Sequence, residues 1–346
     1  LRVTAIAGGV GAARMLAGLT AVTSAEAVTA IVNTGDDTVL HGLHVSPDID
    51  TITYTLAGVA NPATGWGLAD ETWATMKALS AFEEVAPANL TWFSLGDRDL
   101  ATHLFRTGRL AAGATLSRVT AEISRRFGLR ARLLPMTDDR VETRVTVDLG
   151  PGERNFGGLV GLQGPTGLQG PPPGEPGRGP VEIGFQEYFV GLRHSAEVRT
   201  IRFAGIGSAR PAPGVLEAID DAGMLVICPS NPVVSIGPVM AVPGIAEAVS
   251  KRRDSTVAIS PIIAGKALKG PADRMMADLG HEPSVVGIAA LWAPWAATLV
   301  VDEADADAAT EIEALGVRCV VAPSVMSGPA EAARLASAVL AAGARR

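Results

Sequence analysis

The stretch NTGDDTVLHGLHVSPDID, residues 33–50, packs four aspartates and two histidines into eighteen positions of a chain otherwise sparing with charge. Asp36 and Asp37 belong to one end of it and Asp48 and Asp50 to the other. Carboxylates gathered from two loops, with few fixed protein ligands, suit Mg2+ better than zinc. His41 and His44 stand three apart with no HExxH pattern or cysteine ligand, so they are expected to line or brace the loop. A second candidate is Gly8-Gly9-Val10-Gly11 with Arg14 one helical turn on. Glycines let a backbone approach a phosphate, and a helix N-terminus supplies oriented N–H donors. As a dinucleotide fingerprint the motif fails, because Arg14 stands where the third glycine of GxGxxG belongs. An arginine there suits a phosphate better than a tight helix–strand crossing, although a plain turn with a surface arginine would read the same way.

Two further segments carry polar groups in suggestive order. In SLGDRDLATHLFRTGRL, Asp97, Arg98 and Asp99 either form an ion-pair turn that caps the next helix, or Ser94, Gly96 and Asp97 border a ligand while Arg106 and Arg109 face anions. In PSNPVVSIGPV (229–239) and SPIIAGKALKGPADRM (260–275), Ser230, Asn231, Ser235 and Gly237 offer small donors and close backbone approach, and Lys266 and Lys269 can screen phosphate charge. Walker A, GxSxG and CxxC patterns are absent, which sets aside P-loop kinases, α/β-hydrolases and thiol redox enzymes.

The elements that must position these groups follow from hydrophobic periodicity. RVTAIAGGVGAARMLAGL reads as a buried strand, a glycine turn and a helix with Ala12, Met15, Leu16 and Leu19 on one face. AVTAIVNTGDD reads as a second buried strand. Two such strands joined by a helix open a doubly wound, mainly parallel α/β sheet of Rossmann-like type, with helices on both faces and ligands beyond the carboxyl ends of its strands. GMLVICPSNP, STVAISPIIAG and ATLVVDEAD repeat the pattern. Residues 114–134 look helical with a basic end, RVETRVTVDLG alternates as an antiparallel strand, and VEIGFQEYFV is its expected partner. The organisation expected is a nucleotide-binding α/β core, residues 1–135 and 200–346, with a small α+β insertion, a β-hairpin region, at 136–199. Inside that region Gly158, Gly161, Gly164, Gly167 and Gly170 keep a period of three. So few collagen-like triplets are expected to give a disordered surface insert, 158–180, and not a triple helix.

The chain has 346 residues, 47% of them hydrophobic, enough for a substantial core. Its formal charge of −7 argues against a nucleic-acid partner. The arginines at 125, 126, 130 and 132 read as a solvated face. No apolar stretch reaches the roughly 18 residues a membrane span needs, and the strand-like opening lacks the order of a secretory signal. A soluble, cytoplasmic protein without a membrane partner is expected. Cys228 and Cys319, far apart in apolar runs, are expected to be core thiols.

GGVGAAR, NTGDD, SPDIDT, LGDRDLATH, LLPMTDD, FQEYFV, PSNPVVSIGP and SPIIAGKALKGPA, in this order from residue 3 to about 275, together resemble the 2-phospho-L-lactate transferase family (CofD/FbiA). The resemblance implies a step in making the deazaflavin coenzyme F420. The acceptor would be Fo, 7,8-didemethyl-8-hydroxy-5-deazariboflavin, and the donor a guanosine diphosphate ester of enolpyruvate or lactate. The ribityl hydroxyl of Fo would attack the phosphorus that carries the three-carbon acid, and GMP would leave. It also implies Mg2+ and a homodimer. Carried over by motif, Asp36 and Asp50 would be catalytic metal ligands, with Asp50 also orienting the Fo hydroxyl. Ser94 and Asp97 would border Fo. Gly9, Val10, Gly11, Arg14, Ser230, Asn231 and Gly237 would hold the guanosine diphosphate part, with Asp37 and Asp48 in support. The glycine-rich segment is foreign to the family pattern, and the last seventy or so residues match it only loosely. Two other readings fit less well: a non-catalytic nucleotide-sugar-binding regulator of the gluconeogenesis-factor-like group, which usually lacks SPDIDT and GDRDLATH, and a nicotinamide-dependent dehydrogenase, which Arg14 disfavours.

Overall fold

Short runs of valine, isoleucine and alanine form strands here because both of their faces are covered. In β1 (Val3–Ala7), Val3, Ala5 and Ala7 point into one apolar cluster and Ile6 into the other. The same alternation holds in β2 (Val28–Val32), where Val28, Ala30 and Val32 oppose Ile31. A strand buried on both faces can be uniformly apolar, as parallel sheets require. The computed structural model describes residues 1–85, 90–148 and 179–344.

The remaining strands of this sheet are β3 (Arg132–Pro135), β4 (Met224–Ile227), β5 (Thr256–Ile259), β6 (Thr298–Val301) and β7 (Arg318–Val321). Their order is β7-β6-β5-β4-β1-β2-β3, and every pairing is parallel. The order reverses between β1 and β4, so the crevice beyond those two strands is the topological switch point at which open α/β sheets take ligands. The expected doubly wound α/β sheet is present.

Helix α1 (Gly9–Val22) lies on one face, where its buried stripe Ala12, Met15, Leu16 and Leu19 meets α2 (Pro47–Leu56) and the C-terminal helix, Pro329–Ala344. Burying a leucine or methionine stripe of this kind contributes roughly 1.5–3 kcal/mol per large side chain. Helix α3 (Asp99–Ala111) packs beside the two-stranded hairpin Thr38–Leu40/Leu43–Val45, where Arg106 and Thr107 bond the backbone of His44. A three-stranded antiparallel sheet, Glu142–Asp148 between Val181–Gly184 and Glu197–Ala204, stands apart from the main sheet.

Several local expectations change. The helix expected over 114–134 ends at Arg126, and Arg132–Pro135 is instead the edge strand β3. VEIG pairs with Glu142–Asp148 as expected, but Glu187–Gly191 coils into a π-type turn. The strand Glu197–Ala204 crosses the boundary expected at 199/200. Of the insert at 158–180, all but residues 179 and 180 lies outside the described residues. Cys228 is buried and free, and burial pushes its thiol up; Cys319, also free, is half-buried. No single helix among the described residues is long and apolar enough to cross a membrane.

Candidate active site

A cavity of about 560 Å3 opens at the switch point, within the size range of small-molecule sites. Gly9, Val10, Gly11, Arg14, Asp36, Asp50, Ser94, Ser230 and Asn231 all line it, so the chain brings nine of the expected residues together from across 222 positions of sequence. Two are not among its lining. Gly237 lies against the Pro232 carbonyl and the Phe203 ring. Asp97 accepts hydrogen bonds from the Thr72 hydroxyl and from the amides of Ala74 and Thr75. These bonds hold its carboxyl far below the usual carboxylate range, and they cap the helix Ala74–Ser80.

The glycine turn is shaped by contact. A Cβ on Gly11 would stand 2.2 Å from the Pro229 carbonyl oxygen, so only glycine lets α1 start this close to the loop after β4. The Ser230 hydroxyl donates to the Gly8 carbonyl at 2.7 Å and ties the two loops together. Asn231 accepts from the amides of Val233 and Val234, which sets its place at the head of the following turn. No side chain of its own caps α1; Asp48 Oδ1 accepts from the Gly9 amide at 2.8 Å.

Cations stand at the entrance to this turn. Arg14 donates to the Met326 carbonyl at 2.8 Å and Lys269 to the Thr64 carbonyl at 3.1 Å. Both reach Gly65, where an added Cβ would lie 3.3 Å from Lys269 Nζ and 3.8 Å from an Arg14 guanidinium nitrogen. Partial burial and the Arg14 charge lower the Lys269 ammonium. Each cation donates to a neutral carbonyl, which leaves its charge available to an anion. Lys266, by contrast, lies in an exposed hairpin and does not line the cavity.

The acidic cluster lies on the other side of Gly9. Helix α2 begins at Pro47, so Asp48 and Asp50 sit in its first turn and Ser46 holds the N-cap position. Asn33 Nδ2 donates to Asp36 Oδ1 at 2.7 Å and to Asp48 Oδ2 at 3.0 Å. Asp37 accepts from the Ser46 hydroxyl at 2.7 Å. Burial, then the charges of Asp48 and Asp37, push Asp36 well up; burial pushes Asp37 up to about 8 and Asp48 up to about 6. Asp50 is treated differently: the Arg106 guanidinium pairs with its Oδ1, while Oδ2 is buried with no hydrogen-bond partner. Arg106, only 1% exposed, is therefore an internal counter-ion and does not face a ligand anion. Arg109 is likewise engaged, in a bidentate pair with Glu122. His41 lies in the hairpin turn and His44 in its second strand, paired with Val39, both outside the cavity lining.

Of the other lining residues, sequence pointed to Asp99 only as part of a capping turn and did not single out His103, Phe185 or Phe189. Asp99 and His103 share a face of α3 with Arg106, at i, i+4 and i+7, a spacing that was readable in GDRDLATHLFR. His103 lies 3.8 Å from Asp50 and 3.4 Å from Asp99, and the Tyr54 hydroxyl donates to Asp99. Phe185 and Phe189, stacked with centroids 5.5 Å apart, make one apolar wall.

Among the described residues no group of three or more His, Cys, Asp or Glu side chains is poised to hold a metal ion alone. The cluster is nonetheless short of positive charge, with buried, partnerless oxygens on Asp37 and Asp50. That donor set of carboxylate oxygens fits a hard divalent cation that takes its other ligands from water and phosphate.

Fold and site together define a Rossmann-like α/β protein whose acidic and basic groups face one cavity at the strand-order reversal. Residues 3–321 match the family described as 2-phospho-L-lactate transferase CofD. The chain belongs to this family and is a transferase. A Kitasatospora aureofaciens protein named phosphoenolpyruvate transferase is 42% identical, the alignment covering 99% of this chain and 97% of that protein. Proteins of the same name from Streptomyces coelicolor and Mycolicibacterium smegmatis are 41% and 36% identical, over 98% of this chain and 97% and 98% of theirs. Among solved structures, protein BH3568 of Bacillus halodurans shares the fold, with a TM-score of 0.57 at 17% identity over 98% of this chain and 99% of its own.

Proposed function

We propose that this transferase moves the phosphate carrying a three-carbon acid, enolpyruvate in preference to lactate, from a guanosine diphosphate ester to the ribityl hydroxyl of Fo, with release of GMP. The product would be the (dehydro) form of coenzyme F420-0. The observation that carries this reading is that uncompensated cations and uncompensated carboxylates share one cavity on either side of the Gly9–Gly11 turn. A diester transfer needs both: positive charge for the phosphate oxygens, and an acidic site for a divalent cation and the attacking hydroxyl. The name shared by the relatives favours the enolpyruvyl donor.

On this reading the amides at Val10 and Gly11, with Arg14 and Lys269, hold the diphosphate. Ser230 and Asn231 border the nucleotide. Asp36 and the free Oδ2 of Asp50 would hold Mg2+, which when bound withdraws charge from the phosphate oxygens and eases departure of GMP. The same Asp50 oxygen would also orient the Fo hydroxyl. Ser94, between Phe93 and Leu95 in the cavity wall, would border the deazaflavin. Alignment of the reacting groups contributes the rest of the rate, since no covalent protein intermediate is needed.

The test is a mass-spectrometric transfer assay with Fo, Mg2+ and the enolpyruvyl and lactyl guanosine diphosphates in competition. The expected product is Fo carrying the enolpyruvyl phosphodiester, together with GMP. A lactyl product would overturn the donor assignment, and recovery of unchanged Fo would overturn the reaction.

A further inference from the structure

Asp50 and the pair Asp36–Asp48 are held in two different ways, and the difference assigns a task to a residue so far treated as structure. Asp50 is neutralised by Arg106. Asp36 and Asp48 are instead joined by the carboxamide of Asn33, which is wholly buried at the carboxyl end of β2. That amide is fixed from both ends: its Oδ1 accepts from the Gly35 amide at 2.8 Å, and its Nδ2 also lies 3.3 Å from the Val234 carbonyl. A second carboxamide, Gln186, approaches from the three-stranded sheet's side, with Nε2 3.4 Å from Asp36 Oδ2.

An amide is the one common side chain that can donate to two carboxylates without cancelling their charge. Lysine or arginine at position 33 would consume it, as Arg106 does for Asp50, and an apolar residue would leave two close carboxylates to repel each other apart. We propose that Asn33, seconded by Gln186, is the positioning residue of the acidic cluster: it fixes Asp36 against Asp48 and leaves their joint negative charge for a divalent cation. The proposal rests on the metal role assigned above. Groups that orient metal ligands from behind typically govern affinity by about 10–100-fold, and Asn33 is placed as such a group.

The experiment uses the full chain and Mn2+ as probe, titrated by electron paramagnetic resonance with saturating GDP; GDP affinity in EDTA is measured alongside. Asn33→Ser removes the bridging amide, and Gln186→Met removes the second donor at similar size while leaving the Gly35 turn intact. Expected is a roughly 10–100-fold weaker Mn2+ affinity for Asn33→Ser and a smaller loss for Gln186→Met, with GDP affinity in EDTA held within about twofold. Should Asn33→Ser not yield folded protein, Gln186→Met decides, since it perturbs Asp36 without touching the turn. Wild-type Mn2+ affinity in the folded variants would overturn the positioning role while the metal site stands. Failure of the wild type itself to bind Mn2+ with GDP present would overturn the metal role and this inference with it.

Discussion

Replacing Arg106 by methionine should be among the most damaging single changes in this chain. Arg106 is 1% exposed and Asp50 5% exposed, and their pairing joins two elements 56 residues apart in sequence. Burial alone would lower the guanidinium's basicity, but the charge and hydrogen bond of Asp50, with Asp37 behind it, hold it higher. Methionine fills much of the volume but leaves Asp50 buried without its guanidinium counter-ion, a loss of about 3–5 kcal/mol. The bond to the His44 carbonyl at 3.2 Å goes too, adding about 1 kcal/mol. Against a typical total stability of about 5–15 kcal/mol, this is a large share. Asp50→Asn should cost less, because the asparagine amide oxygen can still accept from the Arg106 guanidinium. The double variant should be more stable than Arg106→Met alone by about 2 kcal/mol or more, the signature of a coupled buried pair. Urea denaturation followed by circular dichroism at pH 7 measures all three. A loss below about 1 kcal/mol for Arg106→Met, or strict additivity in the double variant, would refute the reasoning.

Asp50→Asn should cut turnover by at least about 100-fold while GDP affinity stays near wild type; comparable loss of GDP binding would relocate Asp50 to the nucleotide side. Asp48, raised by burial from 3.8 to about 6, carries a stabilising proton below pH 4 that the folded state gives up as pH rises through 6, a loss of roughly 3 kcal/mol. The metal-free protein should therefore lose stability between about pH 4 and 7. Mg2+ should raise the melting temperature more at pH 8 than at pH 5, and a stabilisation indifferent to pH would contradict this. Gly11→Ala should destabilise by about 1–3 kcal/mol or more, read by denaturation, because the new methyl meets a backbone carbonyl that cannot turn away. Asp97→Ala should lower the melting temperature yet leave the Michaelis constant for Fo unchanged, and a raised constant with unchanged stability would return Asp97 to the acceptor site.

What could be read from sequence was whatever is written locally. The unit Val3–Val22 announces itself by a buried strand, glycines that permit a tight turn and a four-residue apolar repeat, and the loops after β1, β2, β4 and β5 do converge. What could not be read depends on partners chosen far away. Arg132–Pro135 is too short and irregular to alternate, and becomes a strand only because β2 offers it an edge. Arg106 looked like an anion-facing cation because nothing in its neighbourhood of sequence shows Asp50 waiting across the interface. Asp97 looked like a ligand contact because its capping partners, Thr72 to Thr75, lie more than twenty residues upstream. Asn33 stood inside the stretch that drew attention to the site, but an asparagine before a glycine and two aspartates reads as turn chemistry until its amide is seen between two carboxylates.

The pattern of partners also says which charges belong to the fold and which to the ligand. Arg106–Asp50, Arg109–Glu122 and Arg202–Glu182 are closed pairs, positive against negative. Arg14 and Lys269 are held by carbonyls, and Asp36 and Asp48 by amides. Neutral partners fix geometry without spending charge, so these four groups stay in a state that is electrostatically unfavourable until something of opposite sign arrives. A phosphate-bearing ester and a divalent cation, arriving together, would relieve both sides at once. Binding of the pair should then be cooperative: GDP and Mg2+ together should raise the melting temperature by more than the sum of the two alone, measured by differential scanning calorimetry. Simple additivity would mean that the cationic and acidic sides serve different ligands, and that their meeting in one cavity is not the basis of the reaction.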